Sequence, residues 1–410
     1  MSIRPVKLGS MAPGLNNRLE PTQLAVASDD KKGATFLYAA DNVDLNRKGY
    51  LKRRRGQTVE AAGQAHSLWS DKDGAFAVID SALNSLTPSG AGLARASVRV
   101  GLPALPVSYS RGADGNVYWS NGQLIRRVVA GVDRPIAAEP PSLIPPINLI
   151  SGALPAGKYL VAMTRQDENG ESPATPVVQV DVPANGGIQI LSADALQVYM
   201  SSADGDVLTL QGNTTGGALN VVTHTNNRRR CATLNRELMP AGTIVRHYNG
   251  CLLVASGNVL HVSEPYNYGL RNPSKGYIPF PEDITVIEPT ANGVYLCADK
   301  TYWIADLLME GALAEVLPYG GIPGTSGRFP REDKVFWQSS NGLVVGDKAG
   351  AAKAAQEGAL EFSGASSGAS LYRERDGMHH IVSTRFGVEP SVAAATSFMD
   401  ARIVRKGTIL

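Results

Sequence analysis

The chain has 410 residues, a formal net charge of +2, 43% hydrophobic and 19% charged residues, 43 Gly and 25 Pro. A charge so close to neutral excludes a surface that wraps nucleic acid as a whole, and the apolar share excludes a disordered chain. The length suffices for two or more cores, at roughly 100–200 residues each.

Residues 1–34 are polar and irregular and predict an extended N-terminal arm. The opening MSIRPVKLGSMAPG lacks the apolar run of a secretory signal. No stretch approaches the roughly 18 apolar residues of a membrane-spanning helix. Synthesis in a cytoplasm, without a membrane span, is the expectation.

The stretch DNVDLNRKGYLKRRRGQTVEAAG (41–63) is the most charged of the chain. It holds Arg47, Lys48, Lys52, Arg53, Arg54 and Arg55 between Asp44 and Glu60. If extended, it places Leu51, Arg53 and Arg55 on one face and Tyr50, Lys52 and Arg54 on the other. Bases on both faces fit an edge strand guarded against random pairing, or one that meets an acidic neighbour. A grip on nucleic acid is the competing reading.

Beyond it, helical periodicity is scarce, and short alternating runs are separated by turn pairs. Asp114-Gly115 and Asn121-Gly122 punctuate residues 107–129. Asn249-Gly250, Asn292-Gly293, Asn341-Gly342 and Asp376-Gly377 do the same later. Such pairs accept the positive φ of tight hairpins. The units recur about every 40–45 residues, and each is too thin to bury both its faces alone. The expected fold is therefore all-β: a β-propeller of about six blades, divided into 35–142 and 236–388. Residues 389–410 form a tail or closing strand. A stacked sandwich is the alternative architecture. Residues 143–235 open Pro-rich and break the rhythm, and KYLVAMTRQDENGESPATP is similar to part of a fibronectin type III or immunoglobulin-like module. An inserted β-sandwich is expected there.

Catalytic constellations are sparse. The six histidines, His66, His224, His247, His261, His379 and His380, form no HxH or HxxxH pair. The adjacent two would point to opposite sides of a strand. There is no GxSxG elbow and no GxxxxGK[ST] loop, and GGIPGTSG (320–327) reads as a tight loop. The Asp71/Asp73 and Asp204/Asp206 groups read as hairpin turns rather than calcium loops. Cys231, Cys251 and Cys297 read as small buried hydrophobes. Trp69, Trp119, Trp303 and Trp337 stand in alternating strands beside turns and read as packing between blades, Trp303 and Trp337 above all. No catalytic residue, cofactor or metal site is assigned, and the chain is expected not to be an enzyme. Arg228-Arg229-Arg230 reads as a solvated loop or subunit contact where the inserted module returns.

Several phrases occur in a telling order: Gly14-Leu15-Asn16-Asn17-Arg18-Leu19, Ala40-Asp41-Asn42-Val43-Asp44, Gly49 to Gly56, GNVLHVSEPYNYG, and ITVIEPTANGVYLCADKTYWI. Together they resemble β-propeller virion proteins of tailed bacteriophages, including tail nozzle proteins. The resemblance implies a non-enzymatic structural subunit of the virion tail. Copies would form a ring, a hexamer favoured, around the channel through which double-stranded DNA passes, next to portal, adaptor or other tail proteins. Asn16, Arg18, Arg47, Lys48, Lys52, Arg53, Arg54, Arg55, Arg228, Arg229 and Arg230 are the candidate assembly residues. A receptor- or glycan-binding fibre or tip protein in contact with the host surface is the alternative. A glycan hydrolase on a propeller comes third.

Overall fold

The computed structural model describes residues 11, 14–20, 23–24, 35–40, 43–46, 48–54, 62–90, 92–226, 228–307, 312–355, 358–360, 365–375, 378–387, 401–405 and 408–409. Every regular element among them is a strand, and the strands pair antiparallel. Apart from a small N-terminal hairpin and one two-sheet module, they form six meander sheets. The first is Ala65–Asp71, Gly74–Ile79, Ala82–Ser89 and Gly92–Arg99. The second is Ser108–Arg111, Val117–Ser120, Ile125–Val129 and Val132–Pro135. The third is built round Ile244–Tyr248, Cys251–Ser256, Val259–Glu264 and Asn267–Arg271, with Glu237–Leu238 added outside. The fourth is Val286–Pro289, Val294–Cys297, Thr301–Ile304 and Leu313–Leu317, and the fifth is Gly327–Phe329, Lys334–Ser339, Gly342–Gly346 and Ala352–Ala354. The sixth joins Ser367–Arg375 and Met378–Phe386 to Ala401–Arg405 and Thr408–Ile409. Strands neighbour in sequence order, as in a propeller blade.

The turn chemistry places these hairpins. Asn249 and Gly250 carry φ of 46° and 75°, the double positive φ of a two-residue loop. Ala130 and Gly131 do the same at 49° and 82°. The sequence gives no warning there, because alanine is an unusual occupant of the left-handed region.

The chain divides into two compact units. Residues 1–62, 257–259 and 279–410 form one, and residues 63–256 and 260–278 form the other. In the second unit the first three meanders stack face to face, and strand alternation explains how. Val117 and Trp119 point to the first sheet and pack with Phe76, Val78, Leu83 and Tyr109. Tyr118, between them, points the other way and packs with Val245, Leu252, Val254 and Tyr268 of the third. All four residues Val117–Ser120 are buried, so this middle strand is apolar on both faces. The same device recurs in the first unit. Val335 and Trp337 pack on Val286, Tyr295 and Cys297 of the fourth sheet, whereas Phe336 packs with Ile381 of the sixth. The tryptophans thus fill spaces between sheets, with Trp119 and Trp337 fully buried.

Hydroxyl groups lock the leading strands of the second and third meanders. Ser108 Oγ accepts the Val245 N–H at 3.0 Å, and Ser110 Oγ accepts the His247 N–H at 2.8 Å. Ser120 Oγ accepts the Gly242 N–H at 3.0 Å and donates to the Gly242 carbonyl at 2.6 Å. Gly242 is obligatory at this approach, because a Cβ there would lie 2.0 Å from the Ala255 carbonyl oxygen.

Between the second and third meanders lies the two-sheet module. Ile147–Leu154, Gly186–Leu191 and Ala218–Val221 make one sheet. Gly157–Asp167, Val178–Val182, Leu196–Met200 and Thr209–Asn213, with Gly170–Glu171, make the other. Leu154, Ile188, Ile190 and Val221 of the first meet Tyr159, Val161, Met163, Val198 and Met200 of the second in one core. This is a β-sandwich, filled by Tyr and Met where no tryptophan is present.

The N-terminal arm docks on the fold. Leu15 is buried with Phe336, Leu343 and Ile381, forms a parallel bridge to Leu37, and Asn17 N–H donates to the Ala359 carbonyl at 3.1 Å. Met11, Leu15 and Leu24 are widely spaced apolar residues in a polar segment, so no periodicity betrays their docking. Residues 35–62, read from the sequence with the first blades, belong instead to the unit of the C-terminal sheets.

Candidate interaction surface

The basic stretch folds as a hairpin. Val43–Leu45 pairs with Leu51–Arg53 in the register Val43/Arg53, Asp44/Lys52, Leu45/Leu51. Asn46 makes the turn: its Oδ1 accepts the N–H groups of Lys48 at 2.9 Å and Tyr50 at 3.0 Å, and Gly49 takes φ 80°. The hairpin is anchored at two points. The Met11 N–H donates to the Gly49 carbonyl at 2.8 Å, and Leu45 is buried with Met11, Leu37 and Val382. Its outer strand stays in solvent, with Leu51, Lys52 and Arg53 all exposed. Arg54 Nε reaches Asp44 Oδ1 at 3.3 Å, which offsets one of the positive charges. Arg47 and Arg55 lie outside the described residues.

The other candidates separate into structural and exposed groups. Asn16 is buried and caps its own turn, its Oδ1 accepting the N–H groups of Arg18 at 3.0 Å and Leu19 at 3.1 Å. It is therefore a positioning residue for the arm rather than a contact, while Arg18 is exposed. Arg229 is also committed within the chain. It donates to Gln197 Oε1 at 2.8 Å and pairs with Glu171 at 3.5 Å. Glu171 in turn accepts the Tyr199 and Thr164 hydroxyls at 2.6 and 2.8 Å. The Arg229 carbonyl accepts the Leu210 N–H at 2.9 Å, so residues 229–231 close the edge of Thr209–Asn213 as a strap. All three arginines remain exposed on it, Arg229 while holding its bonds to Gln197 and Glu171. Adjacent, identical residues gave no sign that the middle one is structural. The arm and hairpin belong to one unit and the Arg228–Arg230 strap to the other.

Elsewhere the ionisable groups brace sheets. Asp133, buried, accepts Arg99 Nη1 at 2.8 Å from the first meander, and Arg126 Nε at 2.6 Å and Trp119 Nε1 at 3.1 Å from its own. Asp71 and Arg111 form a two-pronged pair at 2.5 and 3.0 Å between the same two sheets. Burial pushes the Asp71 carboxyl up, but the Arg111 hydrogen bond and charge and the backbone N–H groups of Asp73 and Gly74 outweigh it and leave the carboxyl below its ordinary value. Glu288, also buried, accepts the Ser326 hydroxyl at 2.9 Å and Arg328 Nε at 3.3 Å across the fourth and fifth sheets. Burial raises the Cys231 and Cys251 thiols and pushes Cys297 up to about 12, which makes them poor nucleophiles. Among the described residues no three His, Cys, Asp or Glu side chains come together to hold a metal.

These features define an all-β protein of blade-type meanders, stacked within each unit, with a sandwich in one unit and a docked basic hairpin in the other. No protein-family model matches the chain, and no curated protein does. Solved structures give faint likenesses. The extracellular domain of a one-component system from B. thetaiotaomicron is 10% identical over 90% of this chain, with a TM-score of 0.19. This chain spans only about half of that one, 54% of its length. The WD40 β-propeller domain of Doa1 is 12% identical, with 69% of this chain and 92% of that one covered and a TM-score of 0.23. YCF48 bound to D1 peptide is 13% identical, with 70% and 93% covered and a TM-score of 0.21. The fold assignment rests on the sheet order described above, not on these superpositions.

Proposed function

We propose that the chain is a non-enzymatic structural subunit of a bacteriophage tail, a nozzle or tail-tube component whose copies ring the DNA channel. One observation supports this most. The separate phrases of the virion-protein resemblance, residues 14–19, 43–44 and 49–54, meet in one docked module on the C-terminal sheets. That module holds its strand of bases in solvent while its apolar residues are anchored. A rigid stack of sheets bearing a fixed, exposed, charged ribbon suits a part that must join neighbours and keep its shape. A ring is the closed form of a head-to-tail contact between identical copies. Portal, adaptor or other tail proteins would be its neighbours, and the virion its location.

The runner-up is a tip or fibre protein that touches the host. The observation in its favour is the edge of the sandwich, where Leu143, Ile144 and Leu149 are exposed, Leu143 to 80%. Mass spectrometry of purified, tailed particles encoded with this gene tests the tail reading. The chain is expected in several copies per particle, and its absence from intact particles overturns the proposal.

A further inference from the structure

The strand Leu51–Arg53 is paired along one side only among the described residues, with Val43–Leu45. All three of its residues are exposed, so the ribbon offers its side chains to a partner. Leu51 and Tyr50, 43% and 52% exposed, supply apolar surface beside it. Lys52 and Arg53 point to opposite faces of the ribbon, and on the Lys52 face Arg54 is already paired with Asp44. A pair of adjacent carboxylates on an exposed bend can meet both, one toward Lys52 and the next toward Arg53.

Those carboxylates can come from the chain itself. Residues 1–62 contain eleven Lys and Arg against six Asp and Glu; residues 279–400 contain nine against sixteen. The segments are thus +5 and −7, although the whole chain is +2. Within the acidic segment, Glu282 and Asp283 are adjacent and exposed just before the fourth meander. We propose that the Leu51–Arg53 edge of one copy docks an acidic segment of a second copy, with Glu282 and Asp283 as its carboxylates. The proposal deepens the tail reading by naming the contact through which copies join.

Sedimentation of the purified full-length protein tests it, with five chains compared: wild type, Lys52→Glu/Arg53→Glu, Glu282→Lys/Asp283→Lys, all four changes together, and the neutral Lys52→Gln/Arg53→Gln. The wild type is expected to self-associate, less so in high salt. Each pair of reversals should weaken association by about tenfold, and the four together should restore it. The neutral Lys52→Gln/Arg53→Gln chain should fall between, and thermal melts should coincide because all four positions are exposed. Unchanged association in both reversed chains overturns the proposal, as does a wild type that stays monomeric. So does loss of binding to a short DNA duplex in Lys52→Glu/Arg53→Glu with association intact, which would assign the edge to nucleic acid. The tail reading is judged separately, by whether the chain is found in particles.

Discussion

At the scale of residues, the buried and half-buried charges act as rivets between sheets. Asp133 is the clearest case, since one carboxylate serves two arginines and an indole N–H from two meanders. Asp133→Asn keeps the volume and removes the charge, which leaves Arg99 and Arg126 without their counter-ion. A loss of about 2 kcal/mol is expected, read as a lower denaturant midpoint at unchanged slope. Asp71 carries a pH signature. Its folded carboxyl lies below the ordinary 3.8, so the folded protein holds that proton less tightly than the unfolded chain does. Its stabilisation is therefore complete above the unfolded value and is lost as pH falls through the folded one. Thermal melts of wild type and Asp71→Asn should differ at neutral pH and converge as the pH drops below about 4. A gap that stays constant with pH would show that the Asp71 charge contributes nothing. None of these pairs was visible in the sequence: Asp71 and Arg111 are 40 residues apart, and Asp133 lies 34 from Arg99. Local turn chemistry explained Asp71 well enough to hide its second role.

At the scale of elements, the sequence was most legible where backbone geometry restricts residue choice. Asn249-Gly250 and Asn341-Gly342 mark hairpins because Asn249, Gly250 and Gly342 take positive φ, and Trp119 and Trp337 mark middle strands buried on both faces. Trp337 tests that packing. Trp337→Ala empties a space bounded by Val286, Tyr295 and Cys297 and should cost about 3–5 kcal/mol, measured by chemical denaturation. Ser120→Ala removes a hydroxyl that bonds both backbone groups of Gly242 across two sheets. It should lower stability by about 1–2 kcal/mol with the meanders intact by circular dichroism. The arm was less legible. Its docking rests on single apolar residues: Leu15 packs with Phe336, Leu343 and Ile381, Met11 packs with Leu45, Leu24 is buried, and no period connects them. The basic hairpin was legible as an edge strand, because charge on both faces is what an exposed edge tolerates. That Asn46 closes it against Val43–Leu45 depended on a side-chain turn, which Asn favours without dictating it.

At the scale of the whole molecule, the six meanders, the sandwich and the docked hairpin describe a chain that spends its buried surface on rigidity. Its charge is segregated, basic in 1–62 and acidic in 279–400, within a near-neutral total. Such segregation suits identical copies meeting head to tail, because each presents one sign at each contact. The sequence could suggest a tail protein only through an ordered set of weak phrases. The structure adds a physical link among three of them, which meet in one module. The central claim is a position: a ring of these chains around the path of the DNA. Electron microscopy of whole particles measures it directly. The account predicts density for the stacked meanders in a closed ring on the tail axis, with the hairpin of each copy against its neighbour. Chains found only at the far tip or along fibres, away from that axis, would contradict it.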